Sequence, residues 1–378
     1  MALFHTEDQT MLKDMAAPFL AEHAPVKHLR QLRDSGDETG FSRDLWRQFA
    51  EMGLTGVLVP EAAGGSGLGH VEAGIVLEEI GRNLAPSPFL ATAVAAVTAL
   101  KAGDAELRAR YLPGILAGET VAAIAVDEGR KHRPAATAMM AERAGNGFRL
   151  TGGKQFVAHG HVANLLVVAA RTSGNAGDEN GITLFAVEKG AAGLFTEAVR
   201  LADSSIAARI DFNGVEVDAG AVIGAVDGGW QPLARALDAG RAGAAAEMLG
   251  VAGAAMALTV DYLRQRKQFG RLIGEFQALQ HRTAHLYSEL EIARASVLKA
   301  QQLLDAGEAG AALMVAVAKA KTGRAAALAV QEGIQMHGGI GMTDEYDIGL
   351  YIKRHRVLDE FFGDAAFHAD RVARLNGY

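Results

Sequence analysis

The sequence predicts an α+β chain that is mostly α. It divides into an N-terminal helical domain over residues 1–118, a middle antiparallel β domain over 119–223 and a C-terminal four-helix bundle over 224–378. Three observations lead there. Apolar positions recur at helical spacing up to Gly118 and again after Gly228. From Val121 to about Ile223 they give way to short runs rich in β-branched and aromatic residues, parted by Gly and Asn turns. No helix-length period separates those runs, which argues against a βαβ array.

Bulk properties narrow the function. At 378 residues, with 49% hydrophobic and 21% charged positions, this is an ordinary soluble globular composition, long enough for roughly two or three domains. The 45 glycines and 8 prolines fall well short of low complexity. A net charge of −7 offers no general attraction to nucleic acid or anionic lipid, so neither is expected as a partner. Without cysteine there is no disulfide and no thiolate metal site. The start, MALFHTEDQTMLKDM, carries acids early and lacks the apolar core of a signal peptide, so the chain is expected to be cytoplasmic.

Taken in order, Ser42 can cap a helix through Leu45, Phe49 and Met52, with Asp44 favouring its first turn. Pro60 and the run Gly64-Gly65-Ser66-Gly67 break that pattern. An amphipathic segment follows over Val71–Ile80, and Ala91–Leu116 reads as continuing helix. Expected strands are Val121–Val126, Gly147–Leu150, Gln155–Ala158, Leu165–Ala170, Thr183–Val187 and Ala208–Phe212. After Gly228 come four long helical segments. The stretch Ala242–Val260 has near-spanning length and one charge, Glu247. Its Ala and Gly content suits a buried bundle helix better than a membrane span.

The chain is organised around Tyr262–Gln280, YLRQRKQFGRLIGEFQALQ. Arg264, Arg266 and Lys267 gather where one helix ends, as its dipole favours, and Gly270 suits the position after a last turn. The next helix carries Phe276, Leu279, Thr283, Leu286, Leu290, Ala293, Val297, Ala300 and Leu304 at alternating steps of three and four, a bundle seam. No dinucleotide fingerprint is present, because Gly338–Gly341 follows a helical run (Ala311–Gln335) and not a strand. There is no GKS or GKT phosphate loop either. Phosphate recognition would fall to Arg266, whose planar fork matches phosphate oxygens; its alternative is a surface ion pair with Glu275 or another acid. His159, His161, His337 and His368 are scattered, without metal-site spacing.

The pairing of RxxFG (Arg266, Phe269, Gly270) with QxxGGxG (Gln335, Gly338, Gly339, Gly341) resembles the acyl-CoA dehydrogenase family. LWRQFAEMGLTGVLVPEAAGGSG (Leu45–Gly67) looks like that family's helical domain, and GFRLTGGKQFVAHG (Gly147–Gly160) is similar to its β-domain signature. The resemblance implies FAD as cofactor, an acyl-CoA substrate, an oligomer and transfer to electron-transfer flavoprotein. It implies that Arg266, Gln268 and Phe269 reach the FAD of a neighbouring subunit, with Gln335, Gly338 and Gly339 as a second contact. Asp127, Phe156 and Val157 stand where the family builds its own flavin site, and Arg241 is expected to line the substrate cavity.

Two departures matter. The family's base is a carboxylate at one of two positions, and Phe362 and Gly240 stand there. Glu360 and Asp364 flank Phe362, with Asp364 better suited to capping the last helix. Glu247 lies seven residues past Gly240, about 10.5 Å along a helix, too far to substitute directly. The family's Thr-Glu and Gly-Ser-Asp are replaced by Asp127-Glu128-Gly129 and Arg130-Lys131-His132-Arg133, and the hydroxyl expected at Ala158 is a methyl. The half-site lent to a neighbour is intact while the chain's own is eroded. The leading expectation is a non-catalytic partner subunit of a heteromeric enzyme, paired with a homologous chain. The alternatives are a homomeric dehydrogenase with an unrecognised base, and a flavin monooxygenase of the same fold.

Overall fold

The computed structural model describes residues 3–378, which pack as two compact units, one formed by residues 3–36, 70–86 and 241–378, the other by 37–69 and 87–240.

The second unit holds the sheet. Its entry helix α3 (Arg43–Glu51) is capped by Ser42, whose hydroxyl accepts from Leu45 N, and it buries Leu45, Trp46 and Phe49. In this unit Leu90–Ala96 winds as a π-helix before a short α-helical turn, Val97–Leu100, and a separate helix, Ala105–Leu116, starts after Asp104 accepts from Leu107 N. The expected single helix over Ala91–Leu116 is therefore broken, because Asp104 offers a cap that competes with continuing the turn.

Eight strands make one sheet: β1 (Ala122–Ala125), β2 (Met140–Ala144), β3 (Gly147–Ala158), β4 (Leu165–Arg171), β5 (Ile182–Glu188), β6 (Leu194–Arg200), β7 (Ile206–Asp218) and β8 (Val222–Ile223). Their order is β6-β7-β3-β2-β4-β5-β8, with β1 pairing parallel to β4 and the long ladders antiparallel. The two runs expected at Gly147–Leu150 and Gln155–Ala158 are one strand. Bulges at Leu150/Thr151 and Lys154/Val157 interrupt its alternation, which is why the pattern split there. Strands β2 and β6 escaped notice because their side chains are largely exposed. Phe148, Leu150, Val157, Phe185, Ile210 and Phe212 fill the core on one face, each worth roughly 1.5–3 kcal/mol when fully buried.

The first unit is helical. It contains α1 (Glu7–His23), α2 (Val26–Asp34), α4 (His70–Asn83) and most of a 36-residue helix, Trp230–Gln265. After the corner come helices Gln277–Asp305, Ala311–His337, Ile348–Glu360 and Ala365–Leu375. Three long helices and two short ones thus stand where four long segments were expected, the last being divided at Phe361–Asp364. The seam read from the sequence faces inward: Leu286, Leu290, Ala293, Val297 and Ala300 are buried.

Helix α4 is buried on more than one face, including Glu78 and Glu79. The acids are accommodated by Arg82 (to Glu79 at 3.0 Å) and Arg294 (to Glu78 at 2.6 Å). Glu247, the single charge of the apolar stretch, is 1% exposed and accepts from Arg354 Nε at 2.8 Å. Glycines allow α4 and the long helix to touch. A Cβ on Gly81 would sit 2.0 Å from the carbonyl O of Glu247, and one on Gly250 1.8 Å from that of Glu78.

Candidate functional site

The corner at Tyr262–Gln280 is a small β-hairpin. The long helix ends at Gln265, Lys267–Gln268 pairs antiparallel with Arg271–Leu272, and Phe269 and Gly270 form the two-residue turn. Both turn residues have left-handed φ, 52° and 81°, as a type I′ hairpin requires. Gly270 therefore closes a hairpin and does not terminate a helix, a correction to the sequence reading. Its neighbours hold the turn open: Arg271 lies over the Phe276 ring at 4.0 Å, and Phe269 itself is 90% exposed. Arg266 and Gln268 are exposed too. Among the described residues Arg266 makes no ion pair, with Glu275 or any other acid.

The second motif ends the helix Ala311–His337. Gly338 takes φ 64° and ψ −138°, a backbone open essentially to glycine alone. A Cβ on Gly338 or Gly339 would meet nothing within 4 Å, so packing inside the chain does not explain the missing side chain at Gly339. Gln335 beside them is exposed. Tilted ring contacts join the two motifs: Tyr262 to His337 at 4.5 Å and His337 to Tyr346 at 4.7 Å between centroids. His337 is buried, donates Nδ1–H to Gly333 O at 2.6 Å, and burial lowers its pKa, keeping it neutral. One rigid knuckle thus presents Arg266, Phe269, Gln335 and a bare glycine backbone outward.

The turn that carries Phe362 is clamped from inside. Arg241, 3% exposed, donates Nε–H to Phe362 O at 3.1 Å, and His368, fully buried, donates Nε2–H to the same oxygen at 3.1 Å. Lys319, also fully buried, donates to Asp359 O at 2.9 Å and Gly363 O at 3.0 Å. Burial pushes the Lys319 ammonium down to about 8 and drives the His368 imidazole far below its usual range. Phe362 itself has φ 59°. Asp364 accepts from Phe367 N at 2.7 Å as a helix cap, Glu360 lies 3.8 Å from Arg356, and Glu247 is held by Arg354. Every carboxylate weighed as a substitute base has a structural partner. Arg241, expected to line a substrate cavity, spends its Nε on the turn.

In the sheet unit, the loop after β1 folds onto itself. Asp127 accepts from His132 Nδ1 at 2.9 Å and from Arg133 N at 3.2 Å. Glu128 accepts from Ala138 N, from Met139 N and from Lys154 Nζ, the last at 2.8 Å. Phe156, half-buried with φ 55°, occupies the bulge that interrupts β3, and Val157 turns into the core. His161 accepts a different task, bonding Thr39 O at 3.1 Å.

Three buried cations went unnoticed in the sequence: Lys154, Lys319 and Arg171. Lys319 was findable as a lone charge on the inward face of an Ala-rich helix. Arg171, 2% exposed, donates to five carbonyls, those of Ala135, Thr137, Ser173, Asp178 and Asn180, at 2.8–3.3 Å. No local pattern announces it, since its partners come from two separate loops.

This fold, with a helical unit carrying both glycine-marked motifs and a bulged β unit, is that of a flavin-dependent dehydrogenase. The chain matches the N-terminal, middle and C-terminal domains of acyl-CoA dehydrogenase over residues 6–119, 125–214 and 227–375, and it belongs to that family. It is 30% identical to the mitochondrial isovaleryl-CoA dehydrogenase of Pongo abelii over 94% of this chain and 85% of that one. Among solved structures it is similar to the Tcur3481–Tcur3483 steroid ACAD (33% identity, TM-score 0.89, 98% of each chain). It is also similar to the ChsE4–ChsE5 complex of Mycobacterium tuberculosis (27% identity, TM-score 0.88, 100% of each chain).

FAD is the family's cofactor, and it supplies a two-electron acceptor for the hydride of the thioester's β-carbon. The residues here fit it unevenly. The knuckle suits a phosphate-bearing ligand, with an unpaired guanidinium and an open glycine cradle. In the β1 loop both carboxylates already serve the loop, and Ala158 carries a methyl.

Proposed function

We propose that this protein is the non-catalytic partner subunit of a heteromeric acyl-CoA dehydrogenase. It would lend Arg266, Gln268, Phe269, Gln335, Gly338 and Gly339 to FAD held by a homologous chain that carries the base. One observation carries the reading: the turn bearing Phe362, one of the two positions where the family resemblance puts a carboxylate base, is locked by Arg241, His368 and Lys319, and each nearby acid is committed elsewhere. General-base catalysis contributes typically 10²–10⁴-fold, or about 3–5.5 kcal/mol of barrier. A chain without it would turn over little by itself. The likeness to a solved pair, ChsE4–ChsE5, supports an assembly of unlike chains. Cytoplasmic residence and electron transfer to electron-transfer flavoprotein belong to the same proposal.

The test is expression alone and together with a Glu-bearing homologue. The chain alone is expected to purify colourless, and the pair to carry FAD and be bleached by acyl-CoA. FAD near one per subunit in the solitary chain, bleached by acyl-CoA, would refute the reading in favour of the homomeric enzyme. Oxygen consumption driven by a flavin reductase would instead identify the monooxygenase.

A further inference from the structure

A cavity of about 330 Å³ opens within the helical unit, between α1, α4, the long helix Trp230–Gln265 and the helix Gln277–Asp305. None of the residues assigned above to flavin or to acyl-CoA lines it. Its size is at the lower end of small-molecule sites, about 300–1,000 Å³. Val71, Ile75 and Leu298 supply an apolar wall, with Leu12 packed against them. On the helix Gln277–Asp305, Leu298 lies one turn from Arg294 on one side and one turn from Gln301 on the other. The cavity therefore runs from a charged end to an amide end, about 10.5 Å apart along that helix.

At the charged end the acids are spent. Glu78 is held by Arg294 at 2.6 Å and by Arg82 at 3.3 Å, and Glu291 lies 3.5 Å from Arg294. His5 stands within the fields of Lys13, Glu78 and Arg294, and burial lowers its pKa, so its ring is neutral at pH 7. Lys13, half-buried on α1, is the cation that remains, with no hydrogen bond or ion pair among the described residues. At the other end Gln301 is 4% exposed, and its Nε2 has no hydrogen-bond partner among the described residues. A Cβ on Gly74 would sit 1.9 Å from that nitrogen, so the bare backbone of α4 leaves the room it occupies. A buried amide N–H without an acceptor is costly, and an acceptor brought by a ligand relieves it.

We propose that this cavity binds a medium-chain carboxylate oxygenated at its far end. The carboxylate sits on Lys13, the alkyl chain runs along Val71, Ile75 and Leu298, and a hydroxyl or carbonyl oxygen accepts from Gln301 Nε2–H. A slot with one unspent cation and one unspent donor selects that pattern, since a ligand lacking either oxygen leaves a protein group unpaired. The inference goes beyond the partner-subunit reading and does not rest on it.

Calorimetric titration of the full chain with 8-hydroxyoctanoate, octanoate and 1,8-octanediol in turn tests it. 8-Hydroxyoctanoate is expected to bind about tenfold more tightly than either of the others, each of which forfeits one polar contact. Lys13→Met should cost 8-hydroxyoctanoate about tenfold in affinity, and Gln301→Met should erase its advantage over octanoate. Lys189→Met, at an exposed position after β5, should leave both affinities unchanged. The Lys13 variant, at a half-buried position, decides the matter should the Gln301 variant fail to fold. Failure of 8-hydroxyoctanoate to bind, equal affinity after Lys13→Met, or equal affinity for octanoate and 8-hydroxyoctanoate in the parent overturns the site, whatever the chain does for a partner's flavin.

Discussion

At the scale of single residues, the decisive group is an aromatic one. Phe362 offers no proton acceptor, yet its backbone keeps a left-handed bend that costs a bulky residue about 1–2 kcal/mol. Arg241, His368 and Lys319 hold that bend through carbonyls alone, so the side chain can change while the turn persists. Phe362→Glu in the solitary chain is therefore expected to fold but, on the partner-subunit proposal, to show no acyl-CoA-dependent dye reduction, because both β1-loop carboxylates are already engaged within the chain. Measured turnover above background would mean that the chain's own flavin site works. His368 gives a pH signature. Its folded pKa lies far below the unfolded value of 6.5, so the unfolded chain binds the extra proton, and stability falls as pH drops below 6.5. This group contributes up to about 1.4 kcal/mol per pH unit there. His368→Gln, which keeps a donor for Phe362 O, should show a smaller drop in urea midpoint between pH 7.5 and pH 5.5 than the parent. An unchanged drop would remove His368 from the account.

Elements are decided by what surrounds them, which sets the limit of reading them from sequence. The long Ala-rich helix and the seam from Leu286 to Ala300 were legible because helical period and burial agree. The hairpin at Phe269–Gly270 was misread as a helix end because a Gly after cations fits both, and only cross-strand pairing separates them. The segment expected to be amphipathic, Val71–Ile80, is buried on more than one face, and of the arginines that accommodate Glu78 and Glu79 only Arg294 is remote in sequence. The glycine motifs were legible as motifs; the ring cluster that joins them was not, since Tyr262 lies far along the chain from His337 and Tyr346. Close packing at Gly81 and Gly250 leads to a firm expectation. Gly250→Ala should destabilise the fold by about 1–3 kcal/mol through overpacking, seen as a lower urea midpoint, whereas Gly339→Ala, with nothing within 4 Å of its new methyl, should stay within about 0.5 kcal/mol.

For the molecule as a whole, the split between what is presented and what is retained sets the expected stoichiometry. If the knuckle serves another chain, flavin should be found once per pair of unlike subunits, measured as absorbance at 450 nm against protein mass. Arg266→Ala should leave the thermal midpoint of this chain unchanged, because that side chain makes no ion pair among the described residues. The same change should speed flavin loss from the assembled pair at least tenfold, consistent with removal of a charge-assisted phosphate contact worth about 1.5–3 kcal/mol. Equal flavin retention would place the cofactor's phosphates elsewhere.

The stretch Ser173–Gly181, SGNAGDENG, has the make-up of a tongue that a protease would nick first. Arg171 fastens its carbonyls at Ser173, Asp178 and Asn180, so an enzyme needing ten or so extended residues must wait until β4 itself opens. An acid-specific protease should accordingly spare Glu179 in the intact protein and cut there once Arg171 is replaced by methionine. The loop that looks most expendable is buttoned to the middle of the sheet.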